Sequence, residues 1–97
     1  MFTMDVIKQT AIPIAKKFDL KSLSLFGSYA RHEENENSDL DFLIERGDLR
    51  SLLQYSDLIL HLEDAFGCHV DVVTSDIDDK EFLEHIQKES VKLYERE

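Results

Sequence analysis

The chain of 97 residues contains no tryptophan, one cysteine, one proline and three glycines. The lone Cys68 excludes an intramolecular disulfide and any zinc site built from several cysteines. No linker, low-complexity tract or internal repeat divides the sequence. No apolar stretch approaches the roughly 20 residues of a membrane span, and the N-terminus lacks the apolar core of a signal peptide. Basic residues are scarce too: 11 Lys/Arg stand against 21 Asp/Glu, a formal net charge of −10. That balance argues against a general nucleic-acid binder, which shows a basic face. What these absences leave is a cytoplasmic protein with no membrane segment and no direct nucleic-acid binding.

What is present suits one small domain over residues 1–97. A hydrophobic content of 42% supports an ordinary core, and a chain of this size buries about 60% of its unfolded surface. The charge is uneven. Residues 1–31 carry five Lys/Arg against two Asp/Glu, whereas residues 32–97 carry six against nineteen. An acidic surface either favours a basic protein partner or serves solubility alone.

Periodicity predicts a helix over 4–18, with Met4, Ile7, Ala11, Ile14, Ala15 and Phe18 on one face and Pro13 kinking or shortening it. Strands follow at 23–26 and 40–45, with a turn at Arg46-Gly47-Asp48 and Asp48 as N-cap. A long helix over 49–66 carries the apolar arc Leu52, Tyr55, Leu58, Ile59, Leu62, Ala65 and Phe66. Leu49, Leu53 and Leu60 form a second stripe, which either the last helix covers or a partner meets. Gly67 is the C-cap. A strand over 69–74 precedes a last helix that starts at Asp76 or Asp78 and runs to about Lys88. Residues 90–94 read either as an edge strand or as more of that helix. The order predicts an α/β (α+β) fold: a small mixed β-sheet with helices packed on it.

The chemistry concentrates between the first two strands. Gly27-Ser28-Tyr29-Ala30-Arg31 follows an apolar strand, and backbone amides at such a turn, with the Ser28 hydroxyl, make an anion site suited to a phosphate chain. Ser38-Asp39-Leu40-Asp41 then opens the second strand. Residues two apart on a strand share a face at about 6–7 Å, so Asp39 and Asp41 can share divalent cations that hold phosphate oxygens. Alone, such a pair is often only a polar strand start. Asp71 interrupts Val70, Val72 and Val73, and a carboxylate in a central strand is costly unless metal-bound or paired, with Arg31 or Arg46 as the rival partners. Ser28 also suits a helix cap, and Arg31 suits either phosphate or a carboxylate brace. His32, His61, His69 and His85 show no clustered ligand spacing. His69 shares the face of Asp71 but reads as structural or exposed, and Cys68 reads as a small packing residue.

Together these residues resemble the DNA polymerase beta-like nucleotidyltransferase superfamily. Gly27, Ser28, Ala30, Arg31, Ser38, Asp39 and Asp41 stand in its motif positions, with Asp71 as the third carboxylate. His32 departs from the pattern, which usually has glycine there. The resemblance implies that Asp39, Asp41 and Asp71 are catalytic and hold two Mg²⁺ ions. It implies also that Gly27, Ser28, Arg31 and Ser38 bind nucleotide, and that ATP is the substrate. With no room for an acceptor-binding domain, the whole chain resembles the minimal nucleotidyltransferases (MNT) of HEPN–MNT toxin–antitoxin pairs. That implies an antitoxin that transfers AMP to a tyrosine of a HEPN-domain ribonuclease. Two alternatives stand beside it: an antitoxin that neutralises its partner by binding alone, and a transferase for a small molecule of the aminoglycoside type.

Overall fold

Cap and turn chemistry sets the boundaries of the elements; the computed structural model describes residues 2–97. Helix α1 spans Met4–Lys17. Thr3 caps it, its hydroxyl accepting a hydrogen bond from the Val6 amide at 3.2 Å. Asp5 in the first turn and Lys16 and Lys17 in the last complement the helix dipole. The helix runs unbroken through Pro13, where a kink or early stop is predicted. Pro13 and Gln9 are both exposed, so the carbonyl that loses its i+4 donor is open to water.

Strand β1 is Ser22–Phe26 and β2 is Leu40–Glu45, paired antiparallel with Phe26 opposite Asp41. Helix α2, Leu52–Phe66, carries the chain across to β3, Val70–Thr74, which lies parallel to β2. Helix α3, Lys80–Glu89, leads into β4, Val91–Glu95, antiparallel to β1. The strand order β3-β2-β1-β4 makes the mixed sheet that the sequence predicts, and the last segment is an edge strand rather than more helix.

Strand alternation divides the core. Leu23, Leu25, Leu40, Phe42, Ile44 and Val70 face α1 and α2, where they pack with Ile7, Ala11, Leu58 and Leu62. Phe26 and Leu43 face the other way and are covered by Leu83 and Ile86 of α3.

Three readings need correction. The second helix starts at Leu52, not at 49, because Ser51 and Gln54 form a capping box that satisfies two orphan amides reciprocally. Asp48 caps nothing and instead accepts from Arg96 at 3.1 Å. Leu49 lies before the helix, buried in the main core. At the third helix the cap is Asp79, which accepts from the Phe82 amide at 3.0 Å, while Asp76 pairs with Arg46 at 3.1 Å. Lastly, α3 does not cover the Leu53/Leu60 stripe, because it lies on the opposite face of the sheet. Leu52, Leu53 and Leu60 are 80%, 81% and 62% exposed, and Ala65 also faces solvent, so the buried arc of α2 narrows to Leu58, Leu62 and Phe66.

This division predicts contrasting stabilities along one helix. Leu58→Ala should cost about 2–5 kcal/mol in urea unfolding, whereas Leu53→Ala and Leu60→Ala should stay within about 0.5 kcal/mol of the parent. Equal losses at all three positions would show that α2 buries a different face.

Candidate metal and phosphate site

The parallel register of β2 and β3 sets Asp41 opposite Asp71. Paired residues on neighbouring strands point to the same face about 4.8 Å apart, so the two carboxyls stand side by side. Asp39 joins them from the turn that feeds β2, two residues before Asp41 and on the same face. Asp39, His69 and Asp71 each offer a ligand atom within 4.8 Å of the others. All lie on the α3 side of the sheet. Helix α3 covers Leu43 and leaves the Asp41 end open, so Asp41 is half-buried while Asp39 and Asp71 are exposed. The ligand atoms within 4.8 Å of one another are two carboxylates and an imidazole, with Asp41 beside them; the carboxylate oxygens suit a hard divalent cation such as Mg²⁺.

Asp41 carries the electrostatic cost. Burial, then the charge and hydrogen bond of Asp71, then Asp39 push its carboxyl up to about 6, against a smaller opposing pull from Arg31. Asp71 itself differs from its reading as a central-strand carboxylate. β3 is an edge strand and the Asp71 side chain is 55% exposed, so no burial demands a partner. Neither rival arginine reaches it: Arg46 pairs with Asp76, and Arg31 with Glu89 and Glu33. The group that meets Asp71 is His69, whose Nε2 lies 3.0 Å from Asp71 Oδ1 and whose Nδ1 lies 3.2 Å from Glu63 Oε2. The Asp71 contacts raise the imidazole above its ordinary value.

Gly27 closes the other side. Its φ is +78°, a conformation that disfavours side chains, and a Cβ there would collide with the Asp41 carboxylate. The Gly27 carbonyl accepts from the Arg31 amide at 3.1 Å, and the Ser28 carbonyl accepts from Glu33 at 2.9 Å. Residues 28–32 thus form a turn rather than the start of a longer helix. His32 sits at φ +60°, where a glycine would be unstrained. Ser38 braces the next turn, its hydroxyl accepting from the Asn35 amide at 2.9 Å just before Asp39.

Two donors at the turn are already engaged by a carboxylate of the chain. The Gly27 amide donates to Glu89 Oε1 at 3.4 Å and Arg31 donates to Glu89 Oε2 at 2.8 Å. Arg31 and the Gly27 amide hold the Glu89 carboxyl below its usual range. Sequence reasoning misses Glu89, Glu63 and the role of His69. Only His69 leaves a trace in sequence, through its i,i+2 spacing from Asp71; the two glutamates reach the site by packing from distant elements.

A family model described as "Polymerase beta, Nucleotidyltransferase" matches residues 9–97. A candidate protein adenylyltransferase of Methanocaldococcus jannaschii is 48% identical over 68 residues, covering 70% of this chain and 73% of its own. Two solved structures share the fold. One is a toxin–antitoxin crystal structure with AMP-PNP, with TM-score 0.80, 21% identity, and coverage of 93% of this chain and 74% of that one. The other is a tri-AMPylated Shewanella oneidensis HEPN toxin in complex with MNT antitoxin, with TM-score 0.75, 18% identity, and coverage of 97% and 74%.

Two predictions follow from the geometry. The raised Asp41 carboxyl favours the fold while protonated, and that contribution is lost as pH rises through about 6. Asp41→Asn should therefore match the parent near pH 4 and exceed it at pH 8 in EDTA. The gain, discounted for solvent screening, is on the order of 1 kcal/mol, or roughly 4–8 °C in Tm. A pH-independent difference would refute the assignment. His32→Gly should relieve the left-handed strain and stabilise by about 0.5–1 kcal/mol in urea unfolding; destabilisation would mean that the imidazole makes a compensating contact.

Proposed function

This chain belongs to the polymerase beta nucleotidyltransferase family, and we propose that it is a protein adenylyltransferase that transfers AMP from ATP to a tyrosine of a HEPN-domain ribonuclease, as that toxin's antitoxin. The observation that supports this reading is Asp41 set opposite Asp71 and against Gly27, with Asp39 and Asp71 in one cluster of ligand-capable groups. Its support from relatives is the similarity to a candidate adenylyltransferase and to the fold of HEPN–MNT complexes.

Residues 1–97 act as one nucleotidyltransferase domain, and its setting is cytoplasmic. Asp39, Asp41 and Asp71 would hold two Mg²⁺ ions. Bound there, the ions supply charge neutralisation at the α-phosphate and a lowered pKa for the attacking hydroxyl. Ser28 and the Gly27 amide hold the β- and γ-phosphates, joined by Arg31 once it exchanges Glu89 for phosphate. Ser38 keeps Asp39 turned toward the nucleotide. The tyrosine oxygen forms its bond to the α-phosphorus as the bond to the pyrophosphate oxygen breaks. Asp71 accepts the phenolic proton, and pyrophosphate leaves.

The acidic surface suits a protein acceptor better than a nucleic acid. The exposed Leu53 and Leu60 of α2 add an apolar face of the kind that partners cover. One observation favours the binding-only antitoxin: Glu89 occupies the amide and guanidinium that a phosphate would use. The two readings part on a single experiment.

Intact-mass spectrometry of a HEPN ribonuclease incubated with this protein, ATP and Mg²⁺ should show gains of whole AMP units. Asp39→Asn and Asp41→Asn should slow the gain by about 10³-fold or more, on the scale of losing a principal stabiliser of transition-state charge. A stable, silenced complex with no mass gain would establish the binding-only antitoxin instead.

A further inference from the structure

Asp71 has a positional problem that Asp39 and Asp41 do not share. It stands on the outermost strand, with a neighbour strand on one side only, and its side chain is 55% exposed. Packing alone does not fix such a carboxylate, and a ligand that samples several rotamers loses entropy each time it binds. The structure supplies the missing restraint from outside the sheet. His69 shares the face of Asp71 by alternation, and its Nε2 meets Asp71 Oδ1 at 3.0 Å. The other ring nitrogen, Nδ1, meets Glu63 Oε2 at 3.2 Å.

Glu63 is itself fixed. Its carboxylate accepts from the Val70 amide at 3.3 Å, on the edge of β3 that no strand covers. Its carbonyl accepts from the Gly67 amide at 2.7 Å, where the left-handed Gly67 ends α2. Restraint therefore runs from the end of α2 through Glu63 and His69 to Asp71. The ring thus sits between the two carboxylates, within hydrogen-bond reach of Asp71 and in close contact with Glu63.

We propose that Glu63 and His69 are positioning residues: a carboxylate–imidazole relay that holds Asp71 in the orientation in which it joins Asp39 and Asp41 as a divalent-cation ligand. The inference rests on the reading of those three carboxylates as a metal site. Glu63 touches none of the three carboxylates; besides His69 it meets the chain beside Asp71 only at the Val70 amide, a contact that leaves the Asp71 side chain free. Outer-shell partners of this kind change metal affinity by about 10–100-fold.

The test is Mn²⁺ affinity of the chain without nucleotide or partner, read from the free-ion signal in electron paramagnetic resonance at pH 8. His69→Ala should weaken Mn²⁺ by about 10-fold and Glu63→Gln by several-fold, within the range for such partners. His69→Gln, which keeps an N–H donor for Asp71, should retain most of the affinity. The double variant Glu63→Gln/His69→Ala should be no weaker than His69→Ala alone, because a relay broken once is not broken twice. Parent affinity in His69→Ala, with Asp71→Asn abolishing binding, would overturn the relay and keep the metal site. Additive losses in the double variant would overturn it as well, leaving two independent effects. Failure of the parent protein to bind Mn²⁺ would overturn both the relay and the site.

Discussion

The β2–β3 register that sets the half-buried Asp41 beside Asp71 is the constraint on which the site depends, burial and the Asp71 charge together raising the Asp41 carboxyl. The β2–β3 register places them side by side, and two unit charges about 5 Å apart repel by about 3 kcal/mol at an effective dielectric of about 20. The opposite face of the same strands bears that cost. Leu40, Phe42, Ile44 and Val70 are buried there beneath α1 and α2, and each such side chain contributes about 1.5–3 kcal/mol of burial. The strand pair is thus held from behind while its front carries like charge. Gly27 adds room where any side chain would strike Asp41, the positive charge of Arg31 acts on Asp41, and the His69 imidazole meets Asp71 directly.

How far the sequence foretells this depends on the range of the interaction concerned. Strands β1, β2 and β3 are legible because period-2 apolar runs, bounded by turn residues, follow from local geometry. The motif residues are legible for the same reason: Gly27, Ser28, Asp39 and Asp41 lie within one strand–turn–strand unit. Their convergence with Asp71 is inferred from sequence by resemblance alone. In the structure it follows from strand register, which is a tertiary property. The position of β3 at the sheet edge is hidden as well, since an apolar run reads alike in a central strand and in an edge strand with one covered face. Asp71 therefore reads as buried and proves exposed. The start of α2 is misjudged because Leu49 continues the helical apolar pattern, yet it packs into the core from a turn ahead of the Ser51 cap. Leu53 and Leu60 look like core for the same reason; nothing in a stripe of leucines says on which side of the sheet the next helix will lie.

The pairing of Arg31 with Glu89 joins the local motif to the far end of the chain. Arg31 begins the loop that carries the chain back to Asp39, and Glu89 is the last residue of α3 before β4 pairs with β1. A bond at 2.8 Å between them pins the turn to the element that covers the opposite half of the same face. Deleting Arg31 would loosen the turn and would also remove the positive charge that acts on Asp41, so structural and electrostatic effects cannot be separated there. Glu89 carries the other half of the pair. Its carboxylate touches only the Gly27 amide and Arg31 among the turn's donors, and an incoming phosphate would present the same charge to the same two groups. The donors that stabilise the turn internally are therefore the donors that an anionic ligand requires. A phosphate drawn to these two donors would therefore compete with a carboxylate of the chain itself.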